Sequence, residues 1–285
     1  MILFFCFALL AVLCFCLLVS AAGLSVPVAV LVSLAVFVLL HAVYLLFFWL
    51  VSLTVPMDRP LNKQNPLCRF ACRTVIPLIN FYAGLRIRIS GTELLPTEQR
   101  FLLVCNHRSI FDPLVVMDRL GRYNISFVSK PSNLRIPFAG RIAYAAGFLA
   151  IDRENDRNAL KTILTAADYL KRGICSMGIY PEGTRSKTAE MLPFHAGSLK
   201  IAQKAKAPIV VSAIHGSEKI RHFRLFSGIP VQMNILEVIP AETVCALKTT
   251  DLSDRIRAII QADLTLGSGD AAAASAQAEQ EEAQP

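Results

Sequence analysis

No Asp, Glu, Lys or Arg occurs before Asp58, and no Lys or Arg follows residue 266. Charged residues make up only 18% of the 285-residue chain against 54% hydrophobic, and mean hydropathy is +0.50. A disordered chain or nucleic-acid-binding tail is rich in charge and poor in apolar residues, so neither describes most of this sequence. Eight cysteines fall far below the density of a secreted disulfide scaffold. The charge that is present crowds into the middle. All 29 basic residues lie between Asp58 and residue 266, with every acidic residue except Asp270, Glu279, Glu281 and Glu282, so this stretch is more positive than the chain's overall +8. An uncharged apolar head on a basic body points to a membrane.

The head divides into two apolar runs, Met1 to about Ala22 and about Val28 to Val55, parted by Gly23-Leu24-Ser25-Val26-Pro27. At ~1.5 Å per residue each run can cross a hydrocarbon core of ~30 Å. A cleaved signal peptide would carry a basic start and a polar end, and the first run has neither. His41 interrupts the second run and suits helix packing better than ligation. Arg59, Lys63, Arg69, Arg73, Arg86 and Arg88 follow, and the positive-inside rule places that side in the cytoplasm. The expected organisation is a membrane hairpin over 1–57, an amphipathic connector over 58–84, an α/β domain over 85–266 and a disordered Ala/Glu/Gln tail over 267–285. In the connector, Cys68-x-x-x-Cys72 lacks the second pair or histidine of a metal site and reads as part of an apolar helix face over about Leu67–Phe81.

From Leu85 onward, short apolar runs alternate with amphipathic ones. Strands are predicted at Leu85–Ile89, Phe101–Cys105, Ile125–Val128, Phe148–Ile151, Ile174–Tyr180, Ile209–Ile214 and Val231–Val238. Helices are predicted at Pro113–Arg119, Arg157–Lys171, Gly197–Ala205 and Asp251–Leu264. This alternation implies an α/β fold, a mostly parallel sheet flanked by helices.

Chemistry concentrates where predicted strands end, the usual place for ligands in open α/β sheets. After Phe101–Cys105 comes Asn106-His107-Arg108-Ser109-Ile110-Phe111-Asp112-Pro113. A histidine can take a proton from an alcohol, and a carboxylate can orient the ring and stabilise the imidazolium. Asp112 can equally cap the helix that Pro113 opens, one oxygen serving each purpose. After Ile174–Tyr180 comes Pro181-Glu182-Gly183-Thr184-Arg185-Ser186. Gly183 lets backbone approach a ligand and Arg185 can fork onto phosphate oxygens, unless Glu182 and Arg185 simply pair with each other. Gly147-Phe148-Leu149-Ala150-Ile151-Asp152-Arg153 ends in an acid–base pair that by itself reads as a surface salt bridge, and Lys130 after another strand reads as a solvated strand end.

In this order, these stretches resemble the glycerolipid (lysophospholipid) acyltransferase family, and within it the bacterial 1-acylglycerol-3-phosphate type. The motifs are N-H-x-x-x-x-D at 106–112, G-F-x-x-I-D-R at 147–153, P-E-G-T-R-S at 181–186 and A-P-I-V at 207–210, with Phe194 and Gly197 in the F-x-x-G position. The likeness covers about residues 85–240. Tyr180 stands where phenylalanine is commoner, and His195-Ala196 replaces a more usual basic pair, a change expected to alter only local surface charge. The resemblance implies His107 as general base and Asp112 as its orienting partner. It implies Glu182, Gly183, Thr184, Arg185, Arg153 and Asn106 as substrate-binding residues. It also implies an acyl-CoA or acyl carrier protein donor, lysophosphatidic acid or a related lysolipid as acceptor, and neither metal nor resident cofactor. Membrane lipid is the expected partner, nucleic acid is not, and the expected location is the cell membrane with a cytoplasmic catalytic domain. Another lysolipid or glycerol-3-phosphate suits the same motifs as acceptor. A non-catalytic module that binds anionic lipid needs the basic residues but not the histidine–carboxylate pair, and an enzyme modifying peptidoglycan or lipid A does not need the 181–186 motif.

Overall fold

The structure, a computed structural model, describes residues 2–58, 60–186, 188, 190–220 and 225–282. In chain order its helices and strands open with α1 (Ile2–Ser20), α2 (Val26–Leu53), α3 (Pro66–Tyr82), β1 (Arg86–Ser90), β2 (Leu102–Cys105), α4 (Asp112–Arg119), β3 (Ile125–Ser129), α5 (Pro131–Leu134) and α6 (Ala139–Ala145). There follow β4 (Leu149–Ala150), α7 (Asp156–Lys171), β5 (Ser176–Ile179), α8 (Lys200–Ala205), β6 (Ile209–His215), β7 (Pro230–Ile239), α9 (Ala241–Ala246) and α10 (Thr249–Glu282). The chain divides into two compact units, Met1–Ile79 with Ser132–Ala146, and Asn80–Pro131 with Gly147–Pro285.

In the first unit, α1 and α2 pair through aromatic edges. Phe4 meets Phe37 with ring centroids 5.8 Å apart, and Phe7 meets His41 at 5.0 Å. His41 Nδ1 lies 2.9 Å from the Phe37 carbonyl, so this histidine packs a helix as expected. Among the described residues only Val26–Leu53 is long and apolar enough to cross a membrane, and the apolar stretch Phe4–Ser20 is shorter. Both apolar runs expected from the sequence are helices, α1 of 19 residues and α2 of 28. At the end of the first helix the Ala21 and Ala22 N–H groups share the Leu17 carbonyl. In α3, Cys68 and Ala71 are buried, and desolvation pushes the Cys68 thiol up to about 11 and that of Cys72 up to about 12. Both therefore stay protonated at neutral pH, as small apolar residues. Residues 132–146, expected within the α/β domain, cluster with the head instead. Asn65 N–H donates to Ala145 O at 2.9 Å, and Arg141 Nη2 donates to Leu53 O at 3.5 Å.

The second unit holds a seven-stranded sheet of order β1-β7-β6-β2-β5-β3-β4, parallel at every pairing except β6–β7. All seven predicted strands are present. Central parallel strands are covered on both faces and so read as unbroken apolar runs, and every residue of Leu102–Cys105 and Ser176–Ile179 is buried. The order places the ends of β2 and β5 side by side, which brings residues 106–112 against 181–186.

Two outer helices complete the scaffold. Helix α7 starts where Asn155 Oδ1 accepts from Asn158 N–H at 3.1 Å, an N-cap the predicted start at Arg157 missed by one residue. Helix α10 buries Leu252, Ile256, Ile260 and Leu264 at helical spacing. It does not stop near Leu264. The backbone expected to be a disordered tail continues as helix to Glu282, with 283–285 outside the described residues. Ala, Gln and Glu are poor core formers but good helix formers, so the same composition fits both readings.

Candidate active site

The sequence places His107 and Asp112 on a turn, and the turn closes. His107 Nδ1 lies 2.8 Å from Asp112 Oδ2, and the Arg108 and Ser109 N–H groups each donate to that same oxygen at 2.8 Å. Asp112 is fully buried. The capping arrangement differs from the one expected: a single oxygen takes the ring and both backbone donors, while Oδ1 has no recorded partner. The hydrogen bond fixes the imidazole as the tautomer protonated at Nδ1, leaving the lone pair on Nε2, and no recorded hydrogen bond engages Nε2 among the described residues.

Residues 181–186 hold this turn from below. His107 N–H donates to Glu182 Oε1 at 2.7 Å, and Leu192 N–H donates to Glu182 Oε2 at 2.9 Å. The His107 carbonyl accepts from Ser186 N–H at 2.9 Å. Both Glu182 oxygens are therefore spent on backbone. The structure places this residue, expected to bind substrate, as a brace between the His107 and Leu192 backbone. Burial raises its carboxyl above the ordinary glutamate value, and the Leu192 and His107 N–H groups partly offset the rise. Asn106 is similarly committed: its amide donates to the Ile214 carbonyl at 3.0 Å and accepts from Ile214 N–H at 2.8 Å. That uses one of the two amide N–H donors, and the second has no recorded partner among the described residues. The pairing locks the end of β2 to β6.

With Glu182 occupied, Arg185 has no recorded acidic partner among the described residues. Thr184 and Arg185 are exposed, and neither has a recorded hydrogen bond or ion pair among the described residues. Gly183 takes φ +74°, and a Cβ there would lie 2.9 Å from His195 Cδ2 and 3.6 Å from Arg153 Nη1. Only glycine fits that crevice. Arg153 therefore stands beside the 181–186 turn rather than in the salt bridge with Asp152 that its spacing suggested. Desolvation presses its pKa below the usual arginine value, a cost that an anion would relieve. His195, expected to matter only for surface charge, packs on Gly183.

Gly183, Arg153 and His195 open onto a cavity of about 560 Å³. Val128, Ile151, Ile163, Ile179 and Phe194 line its apolar part, and Arg153, Asp156, His195 and Lys200 line its polar part. The lining also includes Tyr180, whose ring stacks on His107 with centroids 4.2 Å apart and an interplanar angle of 18°. The far face of Tyr180 stacks on Phe127 at 5.4 Å. Sequence reasoning noted Tyr180 only as a departure from phenylalanine. Its place under the histidine follows from β5 lying beside β2, which no spacing reveals.

Comparisons with known proteins agree with this geometry. Residues 86–215 match the acyltransferase family model. Over 216 residues the chain is 27% identical to human 1-acyl-sn-glycerol-3-phosphate acyltransferase alpha, covering 75% of each. It is likewise 27% identical over 189 residues to the Borreliella burgdorferi protein named 1-acyl-sn-glycerol-3-phosphate acyltransferase, covering 65% of this chain and 74% of that one. The fold matches the crystal structure of the 1-acyl-sn-glycerophosphate (LPA) acyltransferase from Thermotoga maritima with TM-score 0.56 at 20% identity, covering 80% of this chain and 94% of that one.

Proposed function

We propose that this chain, whose residues 86–215 form an acyltransferase-family domain, is a membrane-bound O-acyltransferase that makes phosphatidic acid from 1-acyl-glycerol-3-phosphate. The observation that carries the reading is the His107–Asp112 pair, held by residues 181–186 beside Arg153 and Arg185, which have no recorded carboxylate partner among the described residues. His107 Nε2 takes the proton of the acceptor's free hydroxyl as the oxygen attacks the carbonyl carbon of an acyl thioester. Asp112 stabilises the imidazolium that forms. The tetrahedral oxyanion then collapses, the C–S bond breaks, and the imidazolium returns its proton to the leaving thiolate. The product is an ester and a free thiol, with no acyl-enzyme. This route uses no metal and no resident cofactor, the acyl-CoA or acyl carrier protein being a substrate. Arg185 and Arg153 bind the acceptor phosphate through their planar forks, with Thr184 adding a hydroxyl and Gly183 allowing close approach.

The spanning-length helix Val26–Leu53 and the basic residues after it support residence in the cell membrane with the catalytic residues on the cytoplasmic side. The names of the relatives favour lysophosphatidic acid over other acceptors. The test is acyl transfer by the purified full chain, with a labelled thioester and a panel of lysophosphatidic acid, lysophosphatidylcholine, lysophosphatidylethanolamine and glycerol-3-phosphate. The proposal expects lysophosphatidic acid to be used best and phosphatidic acid to form. Preference for glycerol-3-phosphate or a zwitterionic lysolipid would overturn the assignment.

A further inference from the structure

One apolar feature of the second unit lies outside the acyl-transfer site. Between β6 and β7 the chain projects Leu225 and Phe226, each 65% exposed, and Phe81 at the end of α3 lies beside them at 38%. The Phe81 and Phe226 ring centroids are 6.0 Å apart, and Tyr82 stands 6.3 Å from Phe226.

The display is rigidly held. Phe226 N–H donates to Tyr82 O at 2.8 Å and Ser227 N–H to Ala83 O at 3.2 Å. Gly84 has φ +71°, and a Cβ there would sit 2.3 Å from Ser227 N, so this close seam requires glycine. Phe226 itself has φ +51°, a conformation that costs a bulky residue energy. A large aromatic side chain is thus kept in a strained backbone position while most of its ring faces outward. Glycine or asparagine would make the turn at less cost, so the ring has work to do outside the fold.

The surroundings say what covers it. Arg86 and Arg88, on the same face of edge strand β1, are exposed and have no recorded acidic partner among the described residues. Arg86 Nη2 would lie 3.9 Å from a Cβ at Gly228, just after the tip. In the sequence, Arg221 and Arg224 precede the tip, and no acidic residue stands between Glu218 and Glu237. Aromatic and leucine side chains beside Arg86 and Arg88, which have no recorded acidic partner among the described residues, match the anionic interface of a bilayer, apolar below and negative above. A second copy of the chain would bring arginines against arginines. We propose that the Leu225–Phe226 tip, with Phe81 and the β1 arginines, is a second membrane contact of this protein that seats the α/β unit on anionic lipid independently of the N-terminal helices.

The experiment uses the full chain with Trp49→Phe, which removes the only tryptophan, and Phe226→Trp as a probe at the tip. The protein is reconstituted into vesicles of phosphatidylcholine and phosphatidylglycerol, with and without lipids brominated near the headgroup end of the acyl chain. The proposal expects blue-shifted emission that brominated lipid quenches by about half or more and that aqueous iodide does not reach, since the ring would lie in the upper acyl region. Changing Arg86 and Arg88 to Gln should weaken the quenching toward that in pure phosphatidylcholine. Leu225→Trp in the same background repeats the reading if the first variant folds poorly. Emission typical of water, open to iodide and indifferent to bromine, would overturn the proposal. So would iodide protection without bromine quenching that grows with the protein-to-lipid ratio, the sign of contact between copies.

Discussion

The α/β unit carries two histidine–aspartate pairs at the carboxyl ends of neighbouring strands, and they are built differently. His107 follows β2 and meets Asp112 five residues later. His215 ends β6 and meets Asp263 on α10, Nε2 to Oδ2, at 2.5 Å. In the second pair the nitrogen that a base would use is spent on the carboxylate, and both Asp263 oxygens also accept from the Asn234 amide at 3.1 and 3.2 Å. Asn234 in turn accepts from Ser90 at 2.8 Å, so the network joins β1, β7, β6 and α10. It ties strands to a helix. In the first pair Nδ1 is used and Nε2 is left, and Arg153 and Arg185, which have no recorded carboxylate partner among the described residues, stand close to the turn that braces it. A histidine and a carboxylate in contact do not make a catalytic site. The choice of nitrogen, and what lies beyond it, decide the matter.

That contrast is most sharply broken at Asp112. Asp112→Asn keeps the shape but loses the charge that stabilises imidazolium, and should lower kcat by a factor of about 10² or more with the acceptor KM little changed. Steady-state kinetics on the folded variant checks this. Arg185→Lys replaces a fork with a point charge and should raise the acceptor KM roughly tenfold, leaving the donor KM near wild type. A rise confined to the donor would place the thioester's phosphates at residues 181–186.

Glu182→Gln acts through position. A glutamine presents an NH₂ to one of the two backbone N–H groups, and should cost about 1–3 kcal/mol of stability together with some activity. The sign of its pH dependence follows from the raised carboxyl. A carboxyl whose folded pKa lies above its unfolded value favours folding fully below the ordinary glutamate range, and loses that contribution as pH rises through the folded value. Glutamine has no such titration. Wild type should therefore exceed Glu182→Gln in stability by more in mildly acidic than in neutral buffer, as read by denaturant melts. The smallest effect on activity belongs to the other pair: His215→Ala should lose about 1–2 kcal/mol of stability while keeping kcat within roughly twofold.

The parts of this architecture legible in the sequence were those coded locally. Buried parallel strands read as apolar runs, and the turns at 106–112 and 181–186 carry their functional side chains within a few residues. What stayed hidden depends on distance in sequence. Glu182 looks like a ligand binder until the His107 backbone, 75 residues earlier, occupies one of its oxygens, and Asn106 meets the Ile214 backbone 108 residues later. His195 looked like surface because nothing in the spacing says that Gly183 leaves it room. Helices α5 and α6 were missed because Pro131 and Pro137 break the apolar period in a short stretch, and the helical extension to Glu282 because it lacks an apolar face to read.

The most direct test compares His107→Ala with wild type in the same membrane preparation, following a labelled acyl group from thioester to 1-acyl-glycerol-3-phosphate. The account predicts a loss on the order of 10²–10⁴ in rate with the protein still folded and still membrane-bound. Retention of more than about a tenth of wild-type activity would contradict a general-base role for His107.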